Sequence, residues 1–293
     1  MAPAPPLPNG LREGDFAGLP AWLIDTPLAR AAISRFGGQL LSFAPAGHDE
    51  LLWLSPALKP LPAPVRGGVP LCWPWFGREG GPADGPAHGY ARTAHWHPAE
   101  AIHEADGTLA LTLVPDALPL AGLELRQTLR LGRTLEQTLH TRNIGKRTVE
   151  LTQALHSYFR VGDVRRATVA GLDGLDYADK LDAGAIHRQH GGWTLLDPRD
   201  PGRCDRVYAG FGGCAVLHDP VLGRRIELRT TGSHALVVWN PGADAARGFA
   251  DIPDDGWPGF LCLEAANAGA DRILLAPGAE HLLAQQLTVH AGA

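Results

Sequence analysis

The run Leu123-Glu124-Leu125-Arg126-Gln127-Thr128-Leu129-Arg130-Leu131, the pair Gly132-Arg133 and the run Thr134-Leu135-Glu136-Gln137-Thr138-Leu139-His140-Thr141 carry the clearest structural signal in the chain. Leu123, Leu125, Gln127, Leu129 and Leu131 recur at every second position, the period of a half-buried strand. Leu135, Gln137, Leu139 and Thr141 repeat the pattern, and Gly132-Arg133 supplies the turn chemistry between them, so the stretch predicts an antiparallel hairpin. Upstream, Leu109, Leu111 and Leu113 alternate in the same way. Downstream, Asn143-Ile144-Gly145-Lys146 leads into a third strand over 148–159, which extends the hairpin into a meander.

Further short strands are expected around Ala31-Ala32-Ile33, at 40–43 after the turn signal Gly37-Gly38, at Leu51-Leu52-Trp53, and over 213–218, 225–230, 235–239, 272–275 and 281–288. The run 260–265 is apolar on both faces, which marks a central, doubly covered strand. With 25 prolines and 36 glycines in 293 residues, few windows are long enough for a helix. The expected class is all-β. No change of composition divides the chain, so the expected organisation is a flexible N-terminal arm over 1–15 and a single β-sandwich domain over 16–293.

A composition of 45% hydrophobic and 19% charged residues belongs to a folded globular chain. The net charge of −5 offers nucleic acid no general attraction, so any anionic ligand needs a local cluster of cations. No stretch approaches the ~18 uninterrupted apolar residues of a membrane helix. Neither nucleic acid nor membrane is an expected partner. Met1-Ala2-Pro3-Ala4-Pro5-Pro6 lacks the basic start and apolar core of a signal peptide, and a cytoplasmic location is expected. Cys72, Cys204, Cys214 and Cys262 show no C-x-x-C spacing and read as reduced, buried small hydrophobes.

Candidate chemistry gathers in Arg66-Gly67-Gly68-Val69-Pro70-Leu71-Cys72-Trp73-Pro74-Trp75-Phe76-Gly77, running on to His88-Gly89-Tyr90-Ala91-Arg92. Paired glycines let a backbone approach a ligand closely, and the arginine fork suits phosphate or vicinal hydroxyls, so this stretch reads as a pocket wall. On the strand over 148–159, Val149, Leu151 and Leu155 point one way, and Thr152, Ala154, His156 and Tyr158 the other. Taken alone, His156 reads most simply as a core histidine bonded to a backbone carbonyl. Glu264 follows Phe260-Leu261-Cys262-Leu263, where an unpartnered carboxylate is costly to bury; it has a partner, a task or both. A structural ion pair with an arginine is the competing account. Asp205 reads as a turn aspartate ahead of a strand. His95-Trp96-His97 and the pair His187 and His190 lack a third metal ligand. Ser157 lacks a nucleophile elbow, and no phosphate-binding glycine loop is present. Trp73, Trp75, Trp239 and Trp257 could stack on a sugar, although aromatics at strand spacing are more often core.

Taken in order, Arg66-Gly67-Gly68-x-Pro70, Trp73-Pro74-x-Phe76-Gly77, His88-Gly89-x-Ala91-Arg92 and Ala154-Leu155-His156-Ser157-Tyr158-Phe159 resemble the hexose-6-phosphate mutarotases. These are the glucose-6-phosphate 1-epimerase branch of the aldose 1-epimerase superfamily. Asp205-Arg206-Val207-Tyr208, Val238-Trp239-Asn240-Pro241 and Cys262-Leu263-Glu264 continue the resemblance, which runs from about residue 25 to about residue 288. Gly242 is a departure, since a bulkier residue after the proline is the commoner pattern.

The resemblance implies a galactose-mutarotase-like β-supersandwich of antiparallel strands, without metal or organic cofactor. It also implies interconversion of the α and β anomers of a small-molecule hexose 6-phosphate; a monomer is the expected state. It makes His156 the general acid at the ring oxygen and Glu264 the general base at the anomeric hydroxyl. Arg66, His88 and Asp205 fall on sugar hydroxyls, and Arg92, with Arg66, on the phosphate. An aldose 1-epimerase for free sugars is the nearest rival and has no need of Arg92. A non-catalytic carbohydrate-binding or sensor domain has no need of an acid and base. Glycoside hydrolysis would want two carboxylates across the bond, for which only Glu264 and Asp205 are on offer.

Overall fold

A computed structural model describes residues 7–120, 122–196 and 202–292. Strands pair antiparallel in two large sheets and two small ones. The hairpin is present as Leu123–Leu131 and Leu135–Asn143, with Leu131 opposite Leu135. Leu109–Pro115 pairs with the first of these strands, and Trp96–His103 lies beyond it. They form one half of a nine-stranded sheet whose other half runs through Glu280–Ala291, Arg224–Thr231, Cys214–Asp219, Thr168–Ala170 and Trp193–Thr194.

The expected third strand of the meander takes a different path. Val149–Leu151 pairs with Ile273–Leu275, the chain breaks at Thr152, and Gln153–Arg160 crosses into the opposing sheet. Its place beside Leu135–Asn143 is taken by Glu280–Ala291. The break has a local cause, because the 74–76 segment replaces a strand partner at Thr152. The Thr152 N–H donates to the Pro74 carbonyl at 3.3 Å, and its Oγ1 accepts from the Phe76 N–H at 2.9 Å.

The opposing sheet has seven strands, in the order Ala185–Arg188, Asp176–Asp179, Cys204–Ala209, Ala235–Asn240, Phe260–Asn267, Gln153–Arg160 and Leu71–Cys72. Phe260–Asn267 is buried along its whole length between two neighbours, as its unbroken apolar run predicts. Leu155, Phe159, Leu261, Leu263, Leu236 and Val238 meet leucines of the nine-stranded sheet in one large apolar cluster. Burying each such side chain contributes about 1.5–3 kcal/mol.

A chain of buried side-chain hydrogen bonds crosses this core. Ser157 Oγ donates to Gln285 Oε1 at 2.8 Å, and Gln285 Nε2 donates to Gln137 Oε1 at 2.8 Å. Gln137 Nε2 then donates to Gln127 Oε1 at 2.6 Å, and Gln127 Nε2 to the Gly38 carbonyl at 2.7 Å. Gln127 and Gln137 therefore occupy apolar positions of the hairpin alternation without leaving a buried amide unsatisfied. The chain ties the inner face of Gln153–Arg160 to the far sheet.

Strand structure begins at Leu11, inside the expected arm. Leu11–Phe16 pairs with Leu19–Asp25, Leu11 is buried, and the Asp25 N–H donates to the Gly10 carbonyl at 2.8 Å. Residues 1–6 of that arm lie outside the described residues. In place of the strand expected at Leu51-Leu52-Trp53 there are isolated bridges, Leu52 to Phe159 and, just beyond the run, Leu54 to Gly67. Cys72, Cys204 and Cys262 are buried, and Cys214 is only half-buried. No helix among the described residues is long and apolar enough to cross a membrane.

Candidate active site

Strand register builds the floor of a cavity of about 470 Å³ on the face of the seven-stranded sheet turned away from the core. His156 lies opposite Glu264, and Glu264 opposite Val237. Two residues along, Tyr158 opposes Cys262, Cys262 opposes Trp239, and Trp239 opposes Asp205. Alternation turns both rows to the same side. Asp205 is thus within the strand Cys204–Ala209 and not in a turn ahead of it. Its neighbours Cys204, Arg206 and Tyr208 face the other way and are buried, so the polar Asp205-Arg206 pair hid a regular strand.

The walls come from the glycine-rich stretch. His156, Glu264, Arg66, His88, Arg92 and Asp205 all line this one cavity. So do Tyr158, Trp239, Lys180 and Asp251, none of which the residue pattern had singled out for binding beyond Trp239. Trp73 is core, its indole N–H donating to Thr141 Oγ1 at 2.9 Å, and Trp75 bonds the Pro86 carbonyl. Trp257 packs at the edge of a neighbouring apolar cluster.

Two glycines let the wall close. Gly68 has φ +61° and Gly89 φ +70°; a Cβ would run into the Leu40 carbonyl oxygen at the first and the Trp73 carbonyl oxygen at the second. The Tyr90 N–H donates to that same Trp73 oxygen at 2.8 Å. Gly89→Ala is expected to lose about 1–3 kcal/mol from the left-handed backbone alone, with the collision added. Denaturant unfolding checks this, and a loss below about 0.5 kcal/mol, the range of an ordinary surface change, would show that the turn relaxes.

His88 shares the left-handed conformation at φ +63°. Its Nδ1 accepts from the Gly77 N–H at 3.2 Å, which assigns the proton to Nε2. Burial, then the charges of Arg92, Lys180 and Arg66, push its pKa down to about 3, so His88 is a neutral hydrogen-bond donor.

At the centre, His156 Nδ1 stands 3.3 Å from Glu264 Oε1 without hydrogen-bond alignment, and Glu264 Oε2 has no hydrogen-bond partner among the described residues. Glu264 is only 1% exposed. Burial raises its pKa well above the usual carboxylate range; Lys180 opposes this and Asp205 reinforces it. Burial also holds His156 well below the usual imidazole range, helped by His88, Arg66, Arg92 and Lys180. The imidazole stacks on Tyr158 with ring centres 4.8 Å apart.

The two arginines differ in their company. Arg66 Nη1 donates to the Tyr158 hydroxyl at 2.9 Å, and its Nε lies 3.3 Å from Asp251 Oδ2. Asp251 follows the turn opened by Gly242, whose φ is +66° and whose Cβ would run into the Gly202 carbonyl. A bulkier residue at 242 would not fit there. Arg92 has no carboxylate within ion-pair distance among the described residues. Its Nη2 donates to the Ala87 carbonyl at 2.7 Å, and its buried Nε is unpartnered. Burial lowers its pKa, the signature of a cation lacking compensation.

A family model described as aldose 1-epimerase matches residues 20–288, and the chain belongs to that family. It is accordingly an isomerase of sugar anomers. Among its relatives, a protein of Escherichia coli (strain K12) named "Putative glucose-6-phosphate 1-epimerase" is 35% identical over 274 residues, covering 91% of this chain and 89% of its own length. A protein of the same name from Salmonella typhimurium is 35% identical over 256 residues, with coverages of 85% and 83%. A solved structure from Salmonella typhimurium, described as a "putative mutarotase", matches with a TM-score of 0.88 and 31% identity over 98% of this chain and 95% of that one. The galactose-mutarotase-like β-supersandwich is therefore the fold of this chain.

Proposed function

We propose that the chain is a hexose-6-phosphate 1-epimerase that interconverts the α and β anomers of glucose 6-phosphate by acid–base ring opening. Glu264 takes the proton from the anomeric hydroxyl while His156 gives a proton to the ring oxygen O5, and the C1–O5 bond breaks to leave an open-chain aldehyde. Rotation about C1–C2 presents the other carbonyl face. On reclosure the O5 hydroxyl returns its proton to His156 as it attacks C1, and Glu264 protonates the new O1. The pair holds one transferable proton throughout, so neither a covalent intermediate nor a redox step enters. His88, as a neutral donor, and Asp205 suit the sugar hydroxyls.

The observation that carries the phosphorylated substrate is Arg92, a half-buried arginine with an unpartnered buried Nε and no carboxylate partner among the described residues, lining the cavity beside Arg66. The layout supports the same reading. O5 and the phosphate-bearing C6 are both attached to C5, so the acid that serves O5 belongs at the phosphate end. Arg66, Arg92 and Lys180 all bear on His156, and of these cations Lys180 is the one that also bears on Glu264, together with Asp205.

NMR relaxation of freshly dissolved α-glucose 6-phosphate towards its anomeric equilibrium tests the reading, with free glucose in parallel. Acceleration of the phosphorylated sugar alone, lost in His156→Ala and Glu264→Ala, is the expected result. Acceleration of both sugars would move the assignment to a general aldose epimerase. Acceleration of neither, with binding retained, would leave a sugar-phosphate binding domain.

A further inference from the structure

Lys180 opens the short 3-10 turn Lys180–Asp182, whose N-cap Asp179 accepts from the Leu181 N–H at 2.8 Å. The turn sets the lysine at the wall of the cavity. Its Nζ lies 4.8 Å from the centre of the Phe76 ring and 3.8 Å from Asp205 Oδ1. An ammonium on a flexible stem is strongly hydrated and stays at a cavity wall only when held there. Here an aromatic face and a carboxylate both hold it. The cavity already has Arg66 and Arg92 to meet a phosphate, so a third cation on its wall asks for another task.

We propose that Lys180 is a positioning residue for the epimerase reaction: its ammonium, held between Phe76 and Asp205 on the wall of the cavity that Glu264 also lines, favours the carboxylate form of that side chain, the form that receives the O1 proton. The inference rests on the reading of Glu264 as the base. Ala235–Asn240 sets the uncharged Val237 opposite Glu264, and the other elements around it bring charge or a titratable group, Asp251 of the cavity wall among them. Gln153–Arg160 brings His156 and Tyr158, Cys204–Ala209 brings Asp205, the 66–92 wall brings Arg66, Cys72, His88 and Arg92, and Cys262 lies on the same strand. Asp205 opposes ionisation of Glu264, and Lys180 offsets it. Lys180 acts through Glu264 and does not touch the reacting atoms.

The consequence has a definite sign. The Glu264–His156 pair works with a single shared proton, and a cation beside it favours loss of either proton the pair can carry. Removing the cation therefore moves both limbs of the pH–rate profile to higher pH. A merely structural lysine would lower the rate without moving the profile.

The test is kcat/KM for glucose 6-phosphate against pH in the wild type, Lys180→Met and Lys180→Arg, with Lys180→Gln as a second neutral variant. Lys180→Met and Lys180→Gln are expected to show the profile displaced to higher pH, with a fall of about tenfold on the acid limb, and Lys180→Arg to keep the wild-type profile. The substrate phosphate titrates identically in all four proteins, so differences belong to the enzyme. An active wild type whose neutral variants keep an unmoved profile overturns this inference alone. A wild type without activity on either sugar overturns the epimerase reading and this inference with it.

Discussion

Replacing Glu264 with glutamine is expected to lower kcat/KM for glucose 6-phosphate by about 10²- to 10⁴-fold, the usual contribution of a positioned acid or base, and to make the protein more stable at neutral pH. His156→Ala should fall in the same range. The double variant should lose little more than either single one, because two groups that exchange one proton through the substrate act as a unit. The stability gain follows from linkage. Folded Glu264 holds its proton to higher pH than the same group in the unfolded chain, whose ordinary value is 4.5. From there up to the raised folded value, the folded state binds more protons than the unfolded state, so stability falls as pH rises. Glutamine removes that slope. His156 is shifted the opposite way and loses stability as pH falls, but it does so in both proteins and cancels in the difference. Thermal unfolding should therefore show a small gap between Glu264→Gln and wild type near the ordinary carboxylate pKa, widening towards neutral pH. Retained turnover in Glu264→Gln would remove this carboxylate from the mechanism.

The second large effect concerns selectivity. A hydrogen bond to a charged group is worth about 1.5–3 kcal/mol, so Arg92→Leu should cut kcat/KM for glucose 6-phosphate by roughly ten- to a hundredfold, with no comparable fall for free glucose. Because Arg92 has no carboxylate to abandon among the described residues, this variant should fold as well as the wild type. Arg66→Leu should behave differently. It leaves Asp251, only 6% exposed, without its counter-charge, and breaking such a buried pair costs about 3–5 kcal/mol. Measuring both sugars and the unfolding curve for each variant separates the two roles. An equal fall for both sugars in Arg92→Leu would refute its assignment to the phosphate.

The parts of the fold visible in the sequence are those where one physical rule dominates. Alternation from Leu109 to Thr141 marks strands, and the unbroken apolar run before Glu264 marks a central one, because burial of one or both faces dictates residue type there. Glu264 stood out for the same reason, as a carboxylate in an apolar run. The path after Lys146 was misread because the break at Thr152 is imposed by docking of the distant 74–76 segment, which leaves no trace in local pattern. Asp205 looked like a turn residue because Arg206 beside it is buried yet charged; its Nη1 donates to Gln189 Oε1 and its guanidinium lies over Tyr177, partners that local sequence does not reveal. Asp251 and Lys180 were missed because each sits in a turn-rich stretch and gains its meaning only from contact with residues far away in the chain. Motif resemblance reached His88 and Arg92, which no periodicity argument reaches.

The two-row floor of the cavity has a consequence for how the protein comes apart. His156 and Glu264 sit on adjacent central strands, whose amides are expected to exchange with solvent only through global opening. Arg66 and Arg92 sit on irregular segments, held by a few hydrogen bonds and the close-packed glycines, which belong to the part of a structure that opens at lower cost. On warming, recognition of the phosphate should therefore loosen while the proton-transfer pair is still in register. Selectivity for the phosphorylated sugar is then the first property to fade, and the bare ability to open a sugar ring survives until the sheet itself melts.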